Sequence, residues 1–172
     1  MEALIERHPL RVAMEARDLE GVAEALAPDV VLHSPITSSF RFVGREEVTA
    51  LLGIVRELLE DLDYFEDFGE GGTHLLGFRA RVKGQPLEGT DIMRLDEQGR
   101  VRELRVFIRP LPGLTALTAA LGPRLARKTG RARSAAVAGM VRPLATITRL
   151  TDAPGSKLAM GKVWATPEPS SR

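Results

Sequence analysis

Apolar residues recur at helical spacing through the first third of the chain and then give way to strict alternation, and this change of period marks where helices end and a sheet begins. Leu4, Ile5, Leu10 and Met14 predict a first helix that starts or kinks at Pro9. Leu19, Val22, Ala23 and Leu26 fall at i, i+3, i+4 and i+7 behind Asp18, which is placed to cap them, so a second helix is predicted through Leu26. Val30 to His33 read as a short strand. The longest amphipathic run, 45–62, carries Val48, Leu51, Leu52, Val55, Leu58, Leu59 and Leu62 on one broad face and predicts the third helix.

Strand-like segments follow at 63–69, 74–83, 87–96 and 101–109, separated by Gly71-Gly72, by 84–86 and by the turn at 96–99. Hairpin spacing of this kind implies an antiparallel meander. In the second of these segments Leu76, Phe78, Ala80 and Val82 alternate with Arg79, Arg81 and Lys83, so one face is dry and the other wet. Helices must cover the dry face. The pattern therefore predicts an α+β fold, a cone-shaped curved antiparallel sheet packed on three N-terminal helices, with a cavity open at one end. Beyond Pro110 and Pro112, Leu114, Leu117, Leu121 and Leu125 return to helical spacing, broken by Gly122-Pro123. Val137, Met140, Val141, Leu144 and Ile147 continue it. The expected division is a cone domain over 1–112, a basic amphipathic helical extension over 113–150 and a flexible tail over 151–172.

Charge sharpens that division. Residues 1–109 hold 14 Lys and Arg against 21 Asp and Glu, and residues 110–172 hold 10 against 2. Between Arg124 and Arg149 there are seven basic residues and no acidic one. Docking onto the acidic body, a partner or an anionic membrane would each satisfy such a segment; without interleaved aromatics it does not read as a specific nucleic-acid binder. The chain has no cysteine and three scattered histidines, which excludes thiol chemistry and argues against a metal site. No cofactor is expected. The N-terminus lacks an uninterrupted apolar segment and no run approaches the ~18 apolar residues of a spanning helix, so the expected location is cytoplasmic.

The stretch DLEGVAEALAPDVVLHSP, from Asp18 to Pro35, and GTDIMRLDEQGRVREL, from Gly89 to Leu104, resemble the nuclear transport factor 2-like superfamily and within it the SnoaL-like branch. The resemblance covers roughly 1–112. It implies the cone fold, and a cavity that binds a small apolar molecule or performs cofactor-independent isomerase, cyclase or hydrolase chemistry. Aligned on Asp18 to Pro35, the distantly similar ketosteroid isomerases carry a carboxylate base where this chain has Ser34, and a tyrosine donor where it has Leu10. Their neutral aspartic acid donor corresponds to Asp91. A serine without a partner base cannot take a carbon-bound proton near neutral pH, so the dienol chemistry of that branch is expected to be absent.

The candidate catalytic residues are Asp91, in phase with Leu87, Gly89, Met93 and Leu95 and therefore expected in an apolar setting that raises its pKa, and His33. Ser34, Leu10, Phe78, Met93 and Ile108 are the candidate ligand contacts. Alternation allows only one of His33 and Ser34 to point into the cone unless a bulge intervenes. Val31, Ile92 and Phe107 fall on the outer face of the sheet, where apolar side chains need cover, and a homodimer follows as the expected assembly. Two functions stand at this stage. An open cavity with Asp91 at its floor favours a ligand-binding protein with acid–base chemistry; a cone filled by its own side chains favours an interaction protein whose basic extension docks a partner or membrane.

Overall fold

The computed structural model describes residues 7–39, 41–127, 146–148 and 150. The helical stretch expected around Val137 to Leu144 and the tail over 151–172 lie outside the described residues. Helix α1, Pro9–Ala16, starts where proline is pre-set for a first helical turn, with the His8 side chain accepting from the Leu10 N–H. Helix α2, Leu19–Glu24, is capped by Asp18 as its sequence demands. It is shorter than the periodicity implies. The chain turns extended at Leu26 because the Val101 N–H claims the Ala25 carbonyl, and β1 runs over Leu26–His33. After the two-residue β2, Phe42–Val43, helix α3 spans Arg45–Leu58.

Four long strands complete the sheet: β3 Glu60–Glu70, β4 Thr73–Val82, β5 Gln85–Leu95 and β6 Val101–Arg109. The order is β2-β1-β6-β5-β4-β3. The expected meander holds from β3 to β6, while β1 joins β6 in parallel. Helices cover the inner face of this curved, unclosed sheet, and the core runs from Leu10 and Val22 through Leu26, Val48, Leu76, Leu87 and Met93 to Leu104.

Helix α4, Leu111–Arg127, also belongs to this core. Leu117, Ala120 and Leu121 are buried in it, and Arg124 pairs with Glu57 of α3 at 2.8 Å. The boundary expected after residue 112 thus falls in the first turn of a helix that packs on the cone. Thr115 further holds Thr148 through a 2.7 Å hydroxyl contact. No helix among the described residues is long and apolar enough to cross a membrane.

Candidate functional site

A cavity of about 600 Å³ lies between the inner face of the sheet and helices α1, α3 and α4. Its walls are almost wholly apolar, with Met14, Leu51, Val55, Leu117 and Leu121 contributed by helices and Leu32, Phe78, Val106 and Ile108 by strands. Ser34, Thr37 and Thr118 supply hydroxyls, and its ionisable lining consists of Asp91 and Tyr64. A second hollow of about 680 Å³ sits on the outer rim, where Arg79 pairs with Asp63 at 2.8 Å and Arg109 with Glu88 at 2.9 Å. Neutralised, water-facing pairs of this kind make that groove an ordinary surface.

Asp91 stands on β5 opposite Leu76 on one side and Val106 on the other, so both flanking strands offer it hydrocarbon. Protein surrounds the carboxyl, and the surface it keeps accessible faces the cavity. Burial alone raises its pKa to about 7. Near neutral pH such a group is divided between carboxylate and acid, and can serve as base, acid or hydrogen-bond donor.

Tyr64 enters from β3. Its partner across the ladder is Phe78, whose ring lies 5.9 Å away and packs over Gly89, where a Cβ would collide with that ring. Glycine at 89 therefore lets the Phe78 ring pack directly against the backbone of β5. The phenol is buried, and burial raises its pKa, with the charges of Asp91 and Glu15 adding and those of Arg56 and Arg11 opposing. It remains a neutral donor throughout the physiological range.

The sequence-predicted residues divide cleanly. Asp91, Ser34, Phe78 and Ile108 line the cavity. His33 does not: alternation turns it to the outer face, where Nε2 lies 2.9 Å from Glu103. Leu10 and Met93 are sealed in the core at 2% and 0% exposure and do not reach the cavity wall, Leu10 because its helical phase packs it into the core and Met93 because it lies two residues beyond Asp91 towards the β5–β6 turn. Tyr64 was not among the candidates, although Leu62 and Tyr64 alternating with Asp61 and Asp63 is a readable inward phase. Among the described residues no three His, Asp or Glu side chains converge as metal donors.

The comparisons place this architecture. A solved structure from Pseudomonas aeruginosa named as a steroid delta-isomerase is 34% identical, aligns over 69% of this chain and 88% of its own, and superposes with a TM-score of 0.64. An uncharacterised bacterial protein with a cystatin-like fold from Silicibacter pomeroyi DSS-3 is 28% identical over 73% of this chain and 86% of its own, also at 0.64. An NTF2-like protein of unknown function from Mesorhizobium loti, 19% identical over 59% of this chain and 85% of its own with a TM-score of 0.53, shares the fold. No curated protein matches the sequence significantly. Residues 7–104, more than half of the chain, match the SnoaL-like domain, and the chain belongs to that family within the NTF2-like superfamily.

Proposed function

We propose that the cavity binds a small apolar carbonyl compound and moves a proton next to that carbonyl without a cofactor. The observation that carries this reading is Asp91 facing an apolar cavity of about 600 Å³ that Tyr64 also lines. In the proposed step the Asp91 carboxylate takes a proton from the carbon next to the carbonyl, the electron pair of that C–H bond forms a C=C bond to the carbonyl carbon, and the C=O π pair moves onto oxygen. Tyr64 donates a hydrogen bond to the enolate oxygen, and Asp91 returns the proton to carbon. The 34% identical P. aeruginosa structure named as a steroid delta-isomerase supports isomerase-type chemistry. With Ser34 in place of a carboxylate, the transfer runs through Asp91. An open cavity favours this reading over an interaction protein with a filled cone.

A two-ring apolar ketone tests it. Wild type is expected to speed exchange of the α-protons of 2-tetralone in D₂O, with the rate rising through pH about 7 as Asp91 ionises. Asp91→Asn is expected to lose about 10²-fold or more of that acceleration. Exchange at the buffer rate with wild type, or unchanged exchange in the variant, would sink the proposal.

The proposed assembly is a homodimer through the outer face of the sheet. Phe68, Leu75 and Ile92 form a row across β3, β4 and β5, and Phe68 and Phe107 are 61% and 56% exposed. Phe107→Glu is expected to shift sedimentation from dimer to monomer while leaving the helical signal intact. A wild type already monomeric at micromolar concentration contradicts this.

A further inference from the structure

Tyr64 and Asp67 are three positions apart on β3, a spacing that sends side chains of a regular strand to opposite faces. The ladder to β4 is irregular between Tyr64 and Glu66, and this bulge turns both inward. Tyr64 is 6% exposed and the Asp67 side chain likewise 6%, while Phe65 and Glu66 between them are exposed. Gly77 opposite makes the bulge feasible, since a Cβ there would meet Glu66 at 2.8 Å and Phe65 at 3.0 Å.

One side chain from α1 grips both inward residues. Arg11 Nη2 donates to the Tyr64 carbonyl at 3.1 Å, Nη1 to Asp67 Oδ2 at 3.4 Å and Nε to Glu15 at 2.9 Å. Its guanidinium carbon lies 5.6 Å from the centre of the Tyr64 ring. Asp67 is fixed in turn by His74 Nε2 at 2.6 Å and by the backbone N–H of His8 at 3.2 Å.

We propose that Arg11 is a positioning residue for the cavity: its fork, anchored on Asp67 and Glu15, fixes the bulged segment of β3 that presents Tyr64 to the cavity lined by Asp91. This rests on the reading of Asp91 and Tyr64 as the functional pair. Lysine could keep the charge, but its single nitrogen cannot span the three acceptors that Nε, Nη1 and Nη2 reach from one planar fork, so the role belongs to arginine. The charged groups around the phenol are Asp91 from β5, Glu15 and Arg11 from α1 and Arg56 from α3. Removing Arg11 takes away one of the two cations that keep the buried phenol a competent donor.

The chain has one tyrosine, so ¹³Cζ-labelled tyrosine gives a single resonance. In wild type that resonance is expected to step with pH as Asp91 ionises, and the step should vanish in Asp91→Asn. Arg11→Met keeps most of the bulk. It is expected to shrink the step by roughly half or more and to weaken binding of the fluorescent probe 2-naphthol about threefold to tenfold, while the Asp91 ¹³Cγ titration persists. Arg11→Lys should recover only part of the step. An unchanged step and unchanged affinity in Arg11→Met overturn the inference. Should that variant fail to fold, Asp67→Asn, which loosens the anchor without changing its shape, carries the same expectation and the same failure. The step needs no ligand: a wild type that exchanges no ketone protons refutes the functional reading, whereas an unmoved step in the Arg11 and Asp67 variants refutes only the role of Arg11.

Discussion

Asp91→Asn is expected to gain about 4 kcal/mol of stability relative to the wild-type protein as pH rises from 4 to 7, because it lacks the share that ionisation of Asp91 takes away. The folded carboxyl titrates at about 7 and the unfolded one near 3.8, with burial as the cause. Below the unfolded value both states hold the proton and the group contributes no slope. Between the two values the folded chain keeps a proton that the unfolded chain has released, so this group's contribution to stability falls by about 1.4 kcal/mol per pH unit. Above the folded value the loss is complete. Asparagine preserves the shape and cannot ionise, so the variant lacks this contribution and its stability should rise with pH relative to wild type. Denaturant unfolding at half-unit intervals from pH 4 to 8 gives the comparison, and carboxyl ¹³C titration gives the pKa directly. A carboxyl midpoint near 4, or parallel stability curves, would remove both the raised pKa and the basis for Asp91 as a proton carrier near neutrality.

Asp91 was legible because its information is local. Period-2 phase with Leu87, Gly89 and Met93 on one strand is enough to turn it inward, and nothing between strands disturbs that phase. The same rule resolves His33 against Ser34, since β1 is regular at its end and Ser34 follows Leu32 into the cavity. Helix α3 was equally plain over nearly four turns, but it ends at Leu58 and not at 62, because Glu60 already pairs with Arg81 and Leu62 belongs to β3.

What escaped depends on partners far away in sequence. Leu26 fits the apolar stripe of α2 as well as it fits a strand, and only pairing with Val101 decides for the strand. The apolar side of α4 is visible in Leu117, Leu121 and Leu125, but the sequence does not say that the cone's own cavity is what it covers. The ring of contacts around Tyr64 needs a bulge, a glycine on the neighbouring strand and an arginine more than fifty residues upstream. Each is unremarkable alone. Met93 shows the converse limit: correct phase places a residue on the inner face without saying whether it meets the cavity or the packed core.

His8→Asn is expected to show the opposite pH dependence to Asp91→Asn, and the two together to account for a plateau in the wild type. His8 is 4% exposed; its Nδ1 accepts the Leu10 N–H, and Nε2 is buried without a hydrogen-bond partner among the described residues. Burial, reinforced by the neighbouring His74 and opposed by Asp67, lowers its pKa from 6.5 to about 4. A histidine with a lowered folded value contributes stability that is complete above the unfolded pKa and is lost as pH falls through the folded one. Over 6.5 to 4 that amounts to about 3 kcal/mol. In this window the folded chain holds one proton more than the unfolded chain at Asp91 and one fewer at His8, so their slopes cancel and these two groups leave wild-type stability nearly flat. Asparagine at position 8 can still accept the Leu10 N–H through its Oδ1 and cannot charge. Relative to wild type, His8→Asn should therefore lose stability with rising pH, by about 1.4 kcal/mol per unit from pH 4 to 6.5, and Asp91→Asn should gain it at the same rate. The double variant should be flat again, because the two side chains share no hydrogen-bond partner and their effects should add. Denaturant midpoints for all four proteins at pH 4.5, 5.5 and 6.5 decide the matter. A His8→Asn curve parallel to wild type means that His8 titrates normally in the fold, and a sloping double variant means that a third group controls this window.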